Sequence, residues 1–581
     1  MKQNYSKHCL MLAVTAFILT ASRVFAADPA AVAANADKYG IFTLIPPLLA
    51  IVLAFITKNV ILSLFLGVFS GTFMLELKGF NVISAFVNGF VGVTHKILTS
   101  LADPWNAGIV LQCLAIGALI ALVSKMGGTR AIAEALSKRA KSPTSSQLVT
   151  WLLGLVIFFD DYANSLTVGP IMRPVTDRMK ISREKLAFII DSTAAPIAGI
   201  ALISTWVGYE MGLIKDGYEI VNMQVNAYSV FVSTIPYRFY NILILIFIVV
   251  SALMLRDFGP MYKAEIRARK TGKVLGDNAK PMISEETGGL EPEKGTKLSI
   301  WNAIIPIGTL IFGALIGFYV NGYFAIMGGD NNEVITLMKS SPASFTAIRE
   351  AFGAADASIV LFQAALFASI VAMVMGVFQR IFTWEKAVHY WLQGVKALII
   401  TGVILLLAWS LSGVIKELGT AKYLSSVLSD KIPRFTLPSI IFILGAVISF
   451  ATGTSYGTMG ILMPMAIPLA HAIDPNQGYI LMSVGAVLTG AIFGDHCSPI
   501  SDTTILSSMG SACDHIEHTR TQMVYAVTVA GVAILFGYIP VGLGMPILIV
   551  LPISMIATVA VVYFLGKPVG DGEDYVEPAA E

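Results

Sequence analysis

Apolar stretches follow one another from residue 41 to residue 565, and many are long enough to cross a bilayer, which takes about 20 residues each. No aqueous core can absorb so many. Charged residues make up 13% of the 581-residue chain and apolar residues 56%, where a soluble domain carries about a quarter charged. The sequence therefore describes an all-α polytopic membrane protein, with membrane lipid as its surrounding partner. A net charge of +2 offers no footprint for nucleic acid. Cys9, Cys113, Cys497 and Cys513 have neither the spacing of a disulfide framework nor that of a zinc site.

Charge sets the expected topology. Lys2 and Lys7, then CLMLAVTAFILTA, then VFA before ADPAA have the layout of a secretory leader over 1–26; an ordinary first span or signal anchor is the alternative. Residues 27–255 form the expected N-terminal membrane half, with spans near 41–57, 60–77, 108–124 and 229–255. The basic loops KMGGTRAIAEALSKRAK (125–141) and DRMKISREK (177–185) belong in the cytoplasm. Between them WLLGLVIFF is interrupted by DDYANS and resumes as LTVGPIMRP. It starts and ends on one side, so 147–176 is expected to be a re-entrant hairpin, and 186–213 a broken span. Residues 256–298 hold nine Lys and Arg among Gly, Pro and Glu and read as a flexible cytoplasmic linker. The C-terminal half, 299–566, has spans near 300–321, 357–379, 397–413, 523–544 and 547–565. It carries its own hairpin at 437–470 and broken helix at 479–509, and 567–581 form a cytoplasmic tail.

The halves echo each other. ANSLTVGPIMRP (163–174) matches TSYGTMGILMP (454–464), and DSTAAPIAGIALIS (191–204) matches DHCSPISDTTILSS (495–508). The order is the same in both, hairpin then broken helix, and the hairpins enter from opposite sides. The expected fold is an inverted-topology repeat with two re-entrant hairpins and two broken transmembrane helices.

Irregular backbone survives at membrane depth only where protein buries it or it lines a wet cavity. The polar residues of the four breaks are mostly oxygen donors: Asp160, Asp161, Asn164, Asp191, Thr454, Ser455, Asp495, Ser498 and Asp502 are the candidate site. Hard oxygen ligands suit a hard cation such as Na⁺ or Li⁺. A desolvated carboxylate can hold a proton or help hold a cation, but not readily both. Competition between the two is the minimum machinery of exchange. Each acid also has a plainer reading: Asp160 and Asp161 as caps of the hairpin break, Asp191 as half of an ion pair, Asp495 and Asp502 as structural groups seven apart on one helix face. Arg173 is either a snorkelling anchor or a counter-charge for an acid or an anionic substrate, and Glu210 is interfacial or part of an exit path. His496 and Cys497 with HIEH (515–518) raise a metal reading that the spacing does not support. The reading calls for no cofactor and no metal beyond transported Na⁺.

GDHCSPISDTTILSS, FFDDYANSLTVGPIMRP and ATGTSYGTMGILMP together resemble the NhaC-type sodium/proton antiporters of the wider ion-transporter superfamily, and the likeness covers about 110 to 545. The resemblance implies exchange of Na⁺ or Li⁺ for H⁺ across a bacterial inner membrane, a site at hairpin tips and broken helices, and a transport domain moving against a scaffold, often within a homodimer. Two alternatives stand beside it. A Na⁺- or H⁺-coupled transporter of a small organic acid or amino acid needs a cationic or amide anchor, for which Arg173 and Asn164 are the candidates. An intramembrane aspartyl protease needs Asp160 or Asp161 within hydrogen-bond reach of Asp495.

Overall fold

The computed structural model describes residues 29–57, 59–77, 81–277, 279–281, 292, 295–428 and 433–569. The expected leader, 1–26, and the tail beyond 569 lie outside the described residues. Among those described, ten helices are long and apolar enough to cross a membrane, and the pair Ala227–Tyr237 and Phe239–Met254, bent by 48°, makes up to eleven. Their outward faces stay apolar, with Phe312, Ile316, Leu548 and Phe564 all exposed. Patches of this kind would be untenable in water, and the chain is a multi-pass membrane protein.

Both halves present the same succession of elements. Pro104–Lys125 ends near Gly127, whose φ of +70° turns the chain into the short amphipathic helix Gly128–Ser137. Two arms follow, Pro143–Val156 and Asp161–Arg178. Then Arg183–Ser192 gives way to the single turn Ala195–Ala198 and resumes as Thr205–Ile220. In the second half, Ile399–Leu418 ends at Gly419, φ +73°, and Thr420–Leu428 follows. The arms Leu437–Thr452 and Ser455–Ile473 meet at Gly453, φ +66°. Gln477–His496 then breaks before Asp502–Ser511. Pro196 and Pro499 stand at the two helix breaks, where a residue without an N–H cannot continue the ladder.

One helix was not expected. Val82–Ala102 is 21 residues long and apolar enough to span, and it packs against the ends of two other spans. Thr72 Oγ1 donates to Gly89 O at 2.9 Å, one turn before the end of its own helix. Farther along, Lys96 pairs with Glu417, at the end of another span. Glu417 O accepts from Asn35, and Tyr39 bonds Met74 O. Gly89 and Lys96 are thus both at the level of the same helix ends.

Residues 256–271, at the start of the segment expected to be a flexible linker, are regular structure. Gly259–Thr271 is a helix with Met261, Ala264, Glu265 and Ala268 buried. Arg256–Asp257 pairs antiparallel with Lys567–Pro568. Lys185 Nζ reaches Asp257 at 2.7 Å, both side chains nearly or fully buried, and Ser182 N and Oγ both donate to Glu265 at 2.7 Å. Two of the charges that made this segment look solvated, Asp257 and Arg267, pair with Lys185 and Glu184 on the first part of the broken helix.

Candidate ion-binding site

The two helix breaks and the two arm-to-arm turns are fastened to each other by side chains that bond to the broken backbone. Asn164 Nδ2 donates to Gly154 O at 2.9 Å and to Thr193 O at 2.8 Å, tying the first arm pair to the first break. Gly154 must lack a side chain there, because a Cβ would sit 2.1 Å from Thr193 Oγ1. Thr205 N donates to Phe159 O at 3.1 Å, closing the other side of that break. In the second half Ser498 Oγ donates to Phe450 O at 2.8 Å. Thr454 caps the helix that follows it, accepting from Gly457 N at 3.4 Å. Asn164, Ser498 and Thr454 therefore hold freed backbone groups in place.

The acids collect around these fastenings. Asp160 and Asp161 are 7% and 5% exposed; Asp161 opens the helix Asp161–Arg178, where a carboxylate meets the positive end of the helix dipole. The charged neighbours of Asp161 are Asp160 and Asp502. Tyr162 donates its hydroxyl to Asp502 Oδ2, and Ser165 Oγ lies 3.1 Å from Ser507 Oγ. Gly169 and Gly510 permit this crossing, since a Cβ on Gly169 would lie 2.4 Å from the Gly510 carbonyl carbon. Asp495 Oδ2 accepts from Ser455 Oγ at 2.8 Å, and its charged neighbours are Asp502 and Asp191.

Asp495 and Asp502 do not share a face of one continuous helix. The chain leaves the helix after His496 and re-enters it at Asp502, so the two acids flank the break at facing helix ends. Pro499 removes the hydrogen bond that would have carried the helix through.

Asp191 has a separate set of partners. Its Oδ2 accepts from Thr504 Oγ1 at 3.0 Å and from Gln522 Nε2 at 2.6 Å, and Oδ1 accepts from Ser507 Oγ at 3.4 Å. His496 Nε2 is 3.9 Å away and also 3.0 Å from Ser192 Oγ. Gln522 Oε1 in turn lies 2.9 Å from His518 Nε2, and His518 Nδ1 lies 2.8 Å from Ser508 Oγ. The HIEH stretch thus supports a buried amide. Gln522 escaped the sequence reading because a lone Gln in an apolar run carries no motif. Tyr240, 2.6 Å from His496 Nδ1, and the aromatic wall of Trp206, Tyr209 and Tyr456 escaped for the same reason.

The cations stand apart. Arg173 lies twelve residues beyond Asp161, about 18 Å along the helix at 1.5 Å per residue. Glu210 is fully buried and lies 2.8 Å from Arg238 Nη2, whose side chain is also fully buried. Arg238 further donates to Thr234 Oγ1 at 2.9 Å and to Gly199 O, the carbonyl end of the broken first helix. Among the described residues Asp495 Oδ2 accepts from Ser455 Oγ and Oδ1 has no hydrogen-bond partner, so Asp495 shares no hydrogen bond with Asp161.

Several buried oxygens have no hydrogen-bond partner among the described residues, and two of them belong to candidate residues of the breaks: Asn164 Oδ1 at the first turn-and-break pair, and Asp495 Oδ1 at the second. A buried acceptor left so calls for a partner such as water or an ion. Their oxygen chemistry fits a hard cation.

A multi-pass helical frame in which paired arms and broken helices gather buried carboxylates is the frame of a secondary transporter. The fold is similar to that of the YdaH transporter of Alcanivorax borkumensis, with a TM-score of 0.52 at 12% identity, covering 87% of this chain and 99% of that one. The model of the Na⁺/H⁺ antiporter family matches residues 197–542, and the chain belongs to that family. An uncharacterised protein of Haemophilus influenzae is 35% identical over 514 residues, 86% of this chain and 91% of that protein. Shorter likenesses run to the Na⁺/H⁺ antiporter NhaC of Alkalihalophilus pseudofirmus, 32% identical over 161 residues (26% of this chain, 32% of that one). A malate-2H⁺/Na⁺-lactate antiporter of Bacillus subtilis is 39% identical over 99 residues (16% and 20%).

Proposed function

We propose that the protein exchanges Na⁺ or Li⁺ for H⁺ across a bacterial inner membrane by alternating access. The observation that carries this reading is the pair of uncommitted buried oxygens, Asn164 Oδ1 and Asp495 Oδ1, beside Asp161, Asp191, Asp495 and Asp502, which among the described residues have hydroxyl, amide and backbone donors and no Lys or Arg ion-pair partner. Such a site gains from either a cation or a proton, and the empty anionic state is the costly one. The repeated order of span, left-handed glycine, amphipathic helix, arm pair and broken helix supports an inverted-topology repeat whose arm pairs are re-entrant hairpins. Asp161, Asp495 and Asp502 take Na⁺ or H⁺ in turn. Asp191, Ser455 and Gln522 shape the polar seam between the breaks. Asn164, Ser498 and Thr454 keep it open.

The likeness to a malate/lactate antiporter favours a second reading, coupled exchange of a small carboxylate. It needs a cationic or amide anchor at the breaks; Asn164 commits its amide nitrogen to the Gly154 and Thr193 carbonyls, Arg238 is held against Glu210, and Arg173 stands about 18 Å along its helix from Asp161. One assay separates the two. Everted vesicles from cells lacking their own antiporters are given a ΔpH, and NaCl, LiCl, KCl, malate, lactate and amino acids are added in turn. Collapse of ΔpH by Na⁺ or Li⁺ alone, lost in Asp161→Asn and Asp495→Asn, is the expected result. Silence with Na⁺ and a response to a carboxylate would replace the first reading with the second.

A further inference from the structure

On the face that carries the basic loops, assigned to the cytoplasm by its charge, a cleft of about 490 Å³ opens between three elements. They are the first turn of the Gly259–Thr271 helix, Arg520 on the helix His515–Val532, and the end of the last apolar helix, Ile547–Leu565. Lys263, Arg520 and Lys567 line it, with Phe258, Pro260 and Leu565 as apolar walls. Arg520 has a carboxylate partner, Glu517 at 2.5 Å. Lys263 and Lys567 have none among the described residues; the Lys567 ammonium lies 5.9 Å from the Tyr262 ring centre. The cleft thus holds three positive charges against one negative charge.

We propose that this cleft binds the phosphodiester headgroup of an anionic phospholipid. Its depth argues for a lipid. Tyr563, Phe564 and Leu565 are 56%, 79% and 53% exposed, an apolar surface that only hydrocarbon can cover. Two residues later the chain reaches Lys567, so the cleft sits where hydrocarbon gives way to headgroups. Its composition argues for a phosphate. Cations line one side, while Phe258 supplies no side-chain cap to the helix it precedes, leaving first-turn amides for an anion. The apolar walls suit the glycerol and first acyl carbons. A headgroup here would clamp the linker helix to the strand Lys567–Pro568, beside the Lys185–Asp257 pair that anchors the linker to the first broken helix.

The test is independent of what the protein carries. Purified protein in neutral detergent is titrated with phosphatidylglycerol, phosphatidylcholine or inorganic phosphate, with bound lipid read by native mass spectrometry and stability by thermal unfolding. Each basic residue near an anionic surface is worth about fivefold in partition, so the triple variant K263Q/R520Q/K567Q is expected to lose about 100-fold in preference for phosphatidylglycerol. The exposed single changes Lys263→Gln and Lys567→Gln each lose about fivefold and guard against a triple variant that fails to fold. Lys273→Gln, on the same linker and paired with exposed Asp277 at 2.7 Å, loses nothing. Unchanged preference in the single variants overturns the proposal. Equal stabilisation by inorganic phosphate makes it a site for free anions, and equal retention of phosphatidylcholine makes it an apolar cleft; either result overturns the lipid assignment.

Discussion

Ser455→Ala removes one hydroxyl and tests whether Asp495 is a group over which ion and proton compete. Ser455 Oγ donates to Asp495 Oδ2 at 2.8 Å, with both residues buried. A hydrogen bond to a charged group contributes about 1.5–3 kcal/mol, and it favours the ionised carboxylate. At 1.36 kcal/mol per pH unit, its loss is worth about 1–2 units. The sign follows directly. Without the donor the carboxylate holds its proton to higher pH, so Na⁺ competes less well at any given pH. Half-maximal Na⁺-dependent exchange should move alkaline by about 1–2 pH units, while the rate at the alkaline plateau changes little. Ser455→Thr keeps a hydroxyl and should stay close to wild type. The assay is Na⁺-induced collapse of ΔpH in everted vesicles, measured from pH 6 to pH 9.5 at fixed Na⁺. An unmoved profile in Ser455→Ala, with protein present at wild-type level, would refute the assignment of Asp495 as the competing group.

The other expectations concern the frame around that acid. Arg238→Met strands a fully buried Glu210 and should cost about 3–5 kcal/mol; adding Glu210→Gln should recover most of it in thermal unfolding, and a double variant no more stable than Arg238→Met would contradict the argument. Asn164→Ala leaves the Gly154 and Thr193 carbonyls without their donor, at about 1–3 kcal/mol each; the same unfolding measurement checks it, and Asn164→Asp should not rescue it because a carboxylate cannot donate. Gln522→Leu takes the 2.6 Å donor from Asp191 and should slow exchange roughly 10- to 100-fold, on the same scale of about 1.5–3 kcal/mol for a hydrogen bond to charge. His518→Leu should act in the same direction but more weakly, since His518 reaches Asp191 only through the amide of Gln522.

What sequence could reveal here follows from what hydrocarbon forbids. Lipid tolerates neither acids nor interrupted helices without a reason, so Asp160, Asp161, Asp191, Asp495 and Asp502 stood out before any coordinates. Oxygen-rich breaks in the same order in both halves pointed to the class of protein. The same rule hid other residues. Gln522, Tyr240 and Tyr162 are ordinary members of helical segments until a partner from a distant segment reaches them. Glu210 and Arg238 are 28 residues apart and become informative only as a pair. Val82–Ala102 was passed over because Asn88, Thr94, His95 and Lys96 interrupt its apolar run.

The separation of roles among the break residues changes how the site should be understood. Sequence pattern ranked Asn164, Thr454 and Ser498 with the acids, because all are polar residues in unwound stretches. In the structure their donors go to backbone: Asn164 to Gly154 and Thr193, Ser498 to Phe450, with Thr454 as a helix cap. A break at membrane depth needs two kinds of polar residue, one to satisfy the freed backbone and one to meet the ion, and composition cannot tell them apart. On the proposed reading Asn164 serves both needs. Its amide nitrogen is committed to carbonyls while its oxygen is left over, so the group that holds the first break in shape also presents an acceptor in it. Asp495 is arranged in the same way at the second break, with Oδ2 held by Ser455 and Oδ1 free of hydrogen bonds. Each half thus fixes one atom of a polar side chain and leaves its neighbour available, which orients an oxygen without a cation in place to do so. Pre-ordering of that kind lowers the entropy cost of capturing a small ion, and it explains why a few hydrogen bonds to broken backbone can govern the occupancy of a carboxylate.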